Sequence, residues 1–396
     1  MRIALIADSF PPLRSSAAVQ LRDLSEEFAR QGHAITVMVA SPGQAEGWRL
    51  ETWRGVEILR LKAPRNKDIG YVRRTLAELL MPFSMLRNYR CSTLADEKWD
   101  GVVWYSPTIF LGPMVKALKT ESRCPAYLII RDIFPEWAVD MGLMGTGLPY
   151  RFFKKIANYQ YAVADVIGIQ TPGNHVYFEP PNNRTAARIE VLQNWLAPEV
   201  DFPCSIALSS TALAGKLVFV YAGNMGVAQG VDTMLDLAAR LRDRSDLGFL
   251  FVGRGSEAAR LRERAHQEKL DNVVFFDEIE PDEIPGLYRQ CHVGLVALDP
   301  RHKTHNIPGK FLSYMRSGLP VLACVNEGND LVELINDRGV GKACTVHDGA
   351  VLAAVAGDLV EALRNDPQIS ARCRQLAEER FSASAAVKQI VASLEG

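Results

Sequence analysis

Residues 217–235 read LVFVYAGNMGVAQGVDTML, which is an apolar, β-branched run, a glycine-rich turn and then a helical pattern. A strand buried in a parallel sheet has this composition, and a helix directly after it is typical of a βα unit. The turn contains Gly223, Gly226 and Gly230. Glycines at this place either meet the geometry of a tight turn or let the backbone approach an anion, and both interpretations stay open.

Similar strand-like runs recur on both sides of this unit, between helical patterns. They lie at 3–7, 35–40, 102–105, 126–130 and 166–169 before it, and at 248–253, 273–276, 293–298 and 320–325 after it. The sequence therefore predicts an α/β protein with two Rossmann-like, doubly wound domains that face a central cleft. A proline-containing segment without periodicity separates the two series, so the domains are expected at 1–197 and 198–374. A C-terminal helix at about 375–396 has room to pack back on the first domain.

Length and composition narrow the class of protein. A chain of 396 residues exceeds a single ordinary core, and its 48% hydrophobic and 23% charged content is that of a soluble globular protein. A net charge of -1 gives no indication of a nucleic-acid partner. Seven scattered cysteines without a C-x-x-C pair favour reduced thiols over a disulfide frame or a zinc site. No apolar run reaches the ~18 residues of a membrane span, and the N-terminal run is too short for a signal peptide, so we expect a protein that is cytoplasmic or that sits on a membrane without crossing it.

Three strand ends of the second domain offer groups that suit an anion. The first is the glycine turn of residues 223–230, and the second is Gly253-Arg254-Gly255. The third is the strand at 320–325, which ends in a glycine turn into a helix; just before that strand, Lys310 follows a Pro308-Gly309 corner at the start of another helix. A lysine at a helix start is usually just solvated. Because carboxyl ends of parallel strands share one edge, the coincidence instead predicts a diphosphate site, such as that of a nucleotide sugar.

The first domain offers a second set of candidates. Arg131, Asp132 and Glu136 come directly after the strand at 126–130, where they either form an ion pair or contribute to acceptor binding or catalysis. The helix after the first strand begins near Ser15 and Ser16, beside Arg14. The chain contains no D-x-D triplet, so no carboxylate pair for a divalent metal is evident, and no metal is expected.

The segment 62–90 carries seven Lys and Arg against two acidic residues, interleaved with apolar side chains. A basic amphipathic helix of this kind can lie on an anionic bilayer surface. The commoner alternative is a helix with its apolar face in the core and its basic residues in water.

Several segments together resemble the GT-B glycosyltransferases of family 4, with the donor domain second. They are SFPPLRSSAAVQLRDLSEEFARQGHAITV, RDIFPEW, ADVIGIQTPGN, YAGNMGVAQGVDTML, FVGRGSE and GKFLSYMRSGLPVLACVNEGNDL. More narrowly, WYSPTIFLGPMVKALK, CPAYLIIRDIFPEWAVDMG and HNIPGKFLSYMRSGLPVLA resemble the L-fucosamine transferases of bacterial O-antigen and lipopolysaccharide assembly.

This resemblance implies a retaining, metal-independent hexosyltransferase. The donor would be a UDP-sugar, with N-acetyl-L-fucosamine the expected sugar. The acceptor would be a polyprenyl-diphosphate-linked sugar or another lipid-linked saccharide, at the cytoplasmic face of the inner membrane. The expected catalytic residues are Lys310, Arg131 and Asp132, and the expected acceptor-binding residues are Arg14, Ser15, Ser16 and Glu136. The expected donor-binding residues are Gly223, Asn224, Gly226, Gln229, Arg254, His305, Pro308, Gly309, Lys310, Ser313, Gly328, Asn329 and Asp330.

The chain departs from the family pattern at positions that matter for the donor. The two family glutamates before the GLPV strand correspond to His305 and Ser313. The family's Arg and Lys after the first donor-domain strand correspond to Asn224 and Gln229. With both usual diphosphate cations missing, the resemblance places more of the charge on Lys310 and Arg254.

Two rival functions remain from the sequence. A UDP-sugar epimerase of the same fold would act on the donor without any acceptor. An NAD-dependent oxidoreductase would need a G-x-G-x-x-G turn followed ~20 residues later by a ribose-binding acid, and this pattern is absent from the sequence.

Overall fold

The structure is a computed structural model, and it describes residues 1–13, 15–66, 69–179, 185–196, 202–301 and 307–396. The chain divides into two compact units. The first contains Met1–Ala197 and Ala383–Gly396, and the second contains Pro198–Ser382. The chain thus rejoins the first unit at Ala383, later than the residue 375 expected from the sequence.

The first unit is built on an eight-stranded sheet with the order β3-β4-β2-β1-β5-β6-β7-β8. Its strands are β1 (Arg2–Ala7), β2 (Ala34–Pro42), β3 (Trp48–Trp53), β4 (Val56–Ala63), β5 (Gly101–Tyr105), β6 (Ala126–Ile129), β7 (Val166–Ile169) and β8 (Arg188–Val191). Neighbouring strands run parallel except for β3, which pairs antiparallel with β4. The central strands are apolar throughout because helices cover both faces of the sheet.

The helices of the first unit are α1 (Ser16–Arg30), α2 (Tyr71–Arg90), α3 (Gly112–Ser122), α4 (Glu136–Asp140) and α5 (Leu148–Val163). The start of α1 is fixed by Ser15, whose Oγ accepts a hydrogen bond from the Ala18 amide at 3.2 Å. One core of the unit joins α2, α3 and α5 to the sheet, and a second core joins α1 to its other face.

The second unit has a six-stranded sheet with the order β11-β10-β9-β12-β13-β14, in which all neighbours run parallel. Its strands are β9 (Leu217–Ala222), β10 (Leu247–Val252), β11 (Val273–Phe276), β12 (Val293–Ala297), β13 (Val321–Cys324) and β14 (Gly341–Cys344). Its helices are α6 (Asp232–Arg240), α7 (Ala258–Gln267), α8 (Ile284–Tyr288), α9 (Gly309–Ser317), α10 (Asp330–Arg338), α11 (Gly349–Asn365) and α12 (Ile369–Arg380). The two α/β units confirm the predicted fold class.

The last helix, α13 (Ala383–Glu395), belongs to the first unit. Gln389 donates to the carbonyl of Val191 at 3.0 Å, and Leu394 packs so closely on Gly101 that a Cβ there would lie 2.8 Å from it. The chain therefore leaves the first unit after β8 and returns to the same sheet at its end. In the ranges that the structure describes, no helix combines the length and the apolar character needed to cross a membrane.

The strand order of the second unit defines where a ligand would bind. From β9 the chain moves outward through β10 and β11, and it then restarts on the other side of β9 with β12. Open α/β sheets bind ligands outside the carboxyl ends of the strands at such a switch point. The turns after β9, β10 and β13 and the start of α9 follow these carboxyl ends in the chain.

Candidate active site

Lys310 lies against the carboxyl end of β9. It is the second residue of α9, and its Nζ stands 3.6 Å from the centroid of the Tyr221 ring. A Cβ built on Gly223 would come within 3.7 Å of the Lys310 Cε. The lysine and the first glycine turn are thus brought together, as the sequence predicts.

The position of Lys310 is set by Tyr314, one turn further along α9. The Tyr314 hydroxyl lies 3.0 Å from the carbonyl of Val220 in β9 and 3.3 Å from that of Leu295 in β12. Its ring occupies the space of a missing side chain at Gly294, where a Cβ would clash at 2.4 Å. Tyr314 therefore fixes α9 across the two strands that form the switch point.

The charge of Lys310 depends on what occupies the site. Burial lowers the pKa of the Lys310 ammonium to about 7. The face of Tyr221 offsets part of this effect because an aromatic ring attracts a cation. An anion beside Nζ would favour the charged form further, so ligand binding and protonation of Lys310 are coupled.

Gly253 and Gly255 of the second turn are required by backbone packing. Gly253 and Gly255 have φ values of 143° and 149°. A Cβ on Gly253 would lie 2.0 Å from the carbonyl oxygen of Gly223, and one on Gly255 would lie 2.4 Å from that of Met225. The amide of Met225 also donates to the carbonyl of Arg254 at 2.7 Å. For Gly253 and Gly255, close contact between the two turns explains the glycine without a ligand.

Asn224 and Gln229 hold the first turn closed. The Asn224 side-chain amide donates to Gln229 Oε1 at 3.1 Å, and the amide of Gly226 donates to the same oxygen at 3.1 Å. The Tyr221 hydroxyl adds a bond to the carbonyl of Asn224 at 2.7 Å. Asn224 and Gln229 stand where the family pattern has an Arg and a Lys. Both side chains are neutral, and they form a hydrogen bond with each other.

Arg254 has a carboxylate partner that the sequence does not reveal. Its Nε lies 3.0 Å from Glu278 Oε2, and both residues line a cavity of about 800 Å³ with Arg262 and His266. The Arg254 side chain is 67% exposed. Arg254, expected to add a cation to the charge of Lys310, thus forms an exposed ion pair with Glu278, and its role in donor binding stays a prediction.

The remaining donor-side candidates lie at helix starts. Asn329 caps α10, because its Oδ1 accepts from the Leu331 amide at 3.0 Å while its Nδ2 donates to Asn326 Oδ1 at 2.9 Å. Gly328 precedes it with φ 74°, and Asp330 begins the helix.

Pro308 is the N-cap of α9, and Ser313 Oγ donates to the carbonyl of Gly309 at 3.4 Å. Asn329 and Ser313 therefore form hydrogen bonds at the starts of their own helices, and α10 offers a ligand the positive end of its helix dipole.

Arg131 does not have the exposed position expected of a catalytic residue. It is 7% exposed, and its guanidinium donates to the carbonyls of Ile130 and Leu192, each at 3.1 Å. The guanidinium carbon lies 4.7 Å from the Trp195 ring centroid. Burial lowers the pKa of Arg131, and its contacts with Leu192 and Trp195 hold the end of β6 to the segment after β8.

The other candidates of the first unit are spread over several elements. Glu136 is the first residue of α4 and forms an ion pair with Lys154 of α5, and the Tyr150 hydroxyl lies 3.4 Å from its carboxylate. Ser15 caps α1, Ser16 is exposed and Asp132 is half-buried after β6. Arg14 and His305 lie outside the described residues. Within those residues, no group of three or more His, Cys, Asp or Glu side chains is placed to hold a metal ion.

Comparison with known proteins bears on this second unit. Residues 216–365 match the family described as "Glycosyl transferases group 1". This match covers most of the second unit, which thus resembles a group 1 glycosyltransferase domain. Its matched residues include both the glycine turns and Lys310.

Two curated proteins resemble the chain at low identity. The putative colanic acid biosynthesis glycosyl transferase WcaI of Escherichia coli K12 is 23% identical, and the match covers 100% of both chains. The probable glycosyltransferase WbjE of Pseudomonas aeruginosa is 23% identical over 239 residues, which is 59% of each chain.

A solved structure extends the likeness to the whole fold. HepE of Anabaena, crystallised with UDP and glucose, aligns with a TM-score of 0.70 at 16% identity, covering 100% of this chain and 99% of HepE. The likeness extends over both α/β units, which therefore have the GT-B fold.

Proposed function

We propose that this chain transfers a sugar from a UDP-sugar to a hydroxyl of a lipid-linked saccharide during the assembly of a bacterial surface polysaccharide. The observation that carries the proposal is the placement of Lys310 beside the glycine turn at the β9 and β12 switch point. A cation, the N-termini of helices and a glycine turn at one sheet edge suit a diphosphate.

The relatives support the substrate classes. HepE carries UDP and glucose in its crystal structure, which supports a UDP-sugar as donor. The names of WcaI and WbjE describe glycosyltransferases, the former in colanic acid biosynthesis, which supports a saccharide acceptor. We further propose N-acetyl-L-fucosamine as the sugar and a polyprenyl-diphosphate-linked sugar as the acceptor, on the sequence resemblance given above.

The proposed reaction is a retaining transfer without an enzymic nucleophile. The bond from the anomeric carbon to the β-phosphate oxygen breaks, and its electron pair goes to that oxygen. The acceptor oxygen bonds to the anomeric carbon on the same face, and its proton passes to the leaving phosphate. Charged Lys310 and the amides at the start of α10 stabilise the departing diphosphate, so the proposal needs no metal.

In the first unit we propose Asp132, rather than Arg131, as a contact of the acceptor. Asp132 is half-buried directly after β6, whereas the guanidinium of Arg131 is committed to backbone carbonyls and Trp195. Ser16, exposed at the start of α1, is a second candidate for the same role.

The proposal is tested with Lys310→Ala and, as a matched control, Lys342→Ala, which removes an exposed lysine of β14. Each variant is assayed with a panel of UDP-N-acetylhexosamines and a lipid-diphosphate-linked N-acetylhexosamine. Loss of one such charge stabiliser should lower turnover ~10²-fold or more at an unchanged melting temperature, while the control keeps its activity.

Near-normal turnover of Lys310→Ala would contradict the role of Lys310. The same donors incubated without acceptor and followed by NMR separate a transferase from an epimerase. Formation of an epimer there would replace the proposed transfer.

A further inference from the structure

Helix α2 has apolar side chains on two opposite faces. The inward face buries Ala77, Met81, Met85 and Tyr89 in the core of the first unit. On the other face lie Val72, Leu76, Leu80 and Phe83, which are 75%, 56%, 58% and 57% exposed. The intervals of four, four and three residues place them in one row along the helix. A surface helix ordinarily turns a polar face to water, so this row is unexplained by the fold.

Cations stand at both ends of this row. Arg73 lies beside Leu76 on the helix surface, and Arg87 lies one turn beyond Phe83. Arg74 and Arg90 are paired with Glu78 and Glu121. In the part of the chain that the structure describes, no carboxylate pairs with exposed Arg73 or Arg87.

The row belongs to a larger basic layer. Helix α2 packs on α3 and α3 packs on α5, all on one side of the sheet. The three helices contain nine Lys and Arg and two Glu, a formal charge of +7 in a chain whose net charge is -1. Helix α5 adds Leu148 and Phe152, which are 80% and 42% exposed. Apolar and positive groups are thus concentrated on one face of the unit.

We propose that the outer face of the α2, α3 and α5 layer docks on a bilayer that contains anionic lipid, with α2 lying in the headgroup region. The row from Val72 to Phe83 extends about 16 Å along the helix, at 1.5 Å per residue, so it lies along the interface. Lipid phosphates supply the negative charge that this face lacks, and the acyl boundary takes up its apolar side chains.

A second copy of the chain fits this face less well. Two such layers in contact would oppose like charges across an interface, which is costly. The docking inference does not depend on the donor or on the reaction proposed above, and it is tested without either.

The test is co-sedimentation of the full chain with vesicles. One set is phosphatidylcholine alone, and the other is phosphatidylcholine mixed with phosphatidylglycerol. The variants are Arg73→Glu/Arg87→Glu and Leu80→Ser/Phe83→Ser. The matched controls are Lys342→Glu/Lys388→Glu, which makes the same charge change on exposed lysines elsewhere, and Val346→Ser/Val351→Ser, which alters exposed valines of the second unit.

The unaltered chain should bind the mixed vesicles and leave the zwitterionic ones largely free. Each cation near an anionic surface is worth about fivefold in partitioning, so the arginine variant should bind at least roughly 25-fold more weakly. The apolar variant should lose on the order of tenfold. Both controls should bind like the unaltered chain, and all four melting temperatures should stay close to it because the sites are exposed.

Equal binding to the two kinds of vesicle, or binding that neither double substitution weakens, would overturn the proposal. The proposal would also be overturned if the protein bound no vesicles and instead formed a stable dimer that the substitutions dissociate. Transfer to a water-soluble acceptor should survive in the arginine variant, and this assay separates a failure of docking from a failure of the proposed transferase activity.

Discussion

UDP should bind this protein more weakly as the pH rises, because of the state of Lys310. The pKa of this lysine is lowered by burial to about 7, and no carboxylate of the described residues pairs with it. A bound diphosphate favours the ammonium and so raises its pKa. A lysine whose pKa is raised on binding contributes affinity fully below its free pKa and loses that contribution progressively as the pH rises from the free pKa to the bound pKa.

The magnitude follows from these two values. If the diphosphate restores the pKa of Lys310 to the ordinary value of about 10.4, about half of the free protein is charged at about pH 7 and ~1% at about pH 9. The dissociation constant for UDP should then rise roughly 50-fold over this range. UDP itself changes little there, since the second pKa of a phosphate is about 6. Binding at about pH 8 should take up close to one proton.

Isothermal titration calorimetry measures both quantities. Affinity is followed from about pH 7 to about pH 9, and proton uptake is obtained from buffers of different ionisation enthalpy. Lys310→Arg is the matched control, because a guanidinium stays charged throughout and should give an affinity nearly independent of pH. A flat profile in the unaltered protein, with no proton uptake, would refute the coupling of Lys310 to the diphosphate.

Three further substitutions test the packing around the candidate site. Arg131→Met should lower the free energy of unfolding in urea by about 3 kcal/mol, since it strips the carbonyls of Ile130 and Leu192 of a buried donor; a loss of turnover at full stability would instead favour a catalytic role. Gly253→Ala should cost more than about 2 kcal/mol because its Cβ would lie 2.0 Å from a carbonyl oxygen, whereas Gly357→Ala, in open space on α11, should stabilise by about 0.5–1 kcal/mol. Gln229→Ala should lower the free energy of unfolding by about 1 kcal/mol and weaken UDP binding, because two hydrogen bonds of the turn are lost. Unchanged stability of this variant in calorimetry would contradict the role of Gln229 in closing the turn.

The strands that sequence patterns predict and those that they miss differ in position within the sheets. The predicted strands are continuous apolar runs, such as β1 and β9, and lie buried between helices. The missed strands are β3, β4, β8 and β14. Three of these, β3, β8 and β14, are at sheet edges, where exposed positions and charges such as Arg49 and Lys342 interrupt the apolar run. Hydrophobic periodicity detects burial on both faces, and these three edge strands lack it.

In the candidate site, too, some contacts are predictable from the sequence and others are not. The approach of Lys310 to the Gly223 turn is predictable, because both follow from the strand order and the positions of helix starts. The Glu278 partner of Arg254 and the burial of Arg131 under Trp195 are not, since each depends on residues far apart in sequence. Tyr221 is the one missed residue with a local signal, an aromatic hydroxyl two positions before the glycine turn.

The neutral side chains of Asn224 and Gln229 bear on the lowered pKa of Lys310. Two fixed cations beside a third would repel it and would hold the empty site positively charged. Here the turn is closed by amides, Arg254 is paired with Glu278, and Lys310 can remain partly neutral until a diphosphate arrives. The charge that stabilises the leaving group is then present in the complex and weak in the free protein. Introducing cations at residues 224 and 229 should therefore lower the pKa of Lys310 in the free protein further and, at about pH 7, increase the proton uptake on UDP binding.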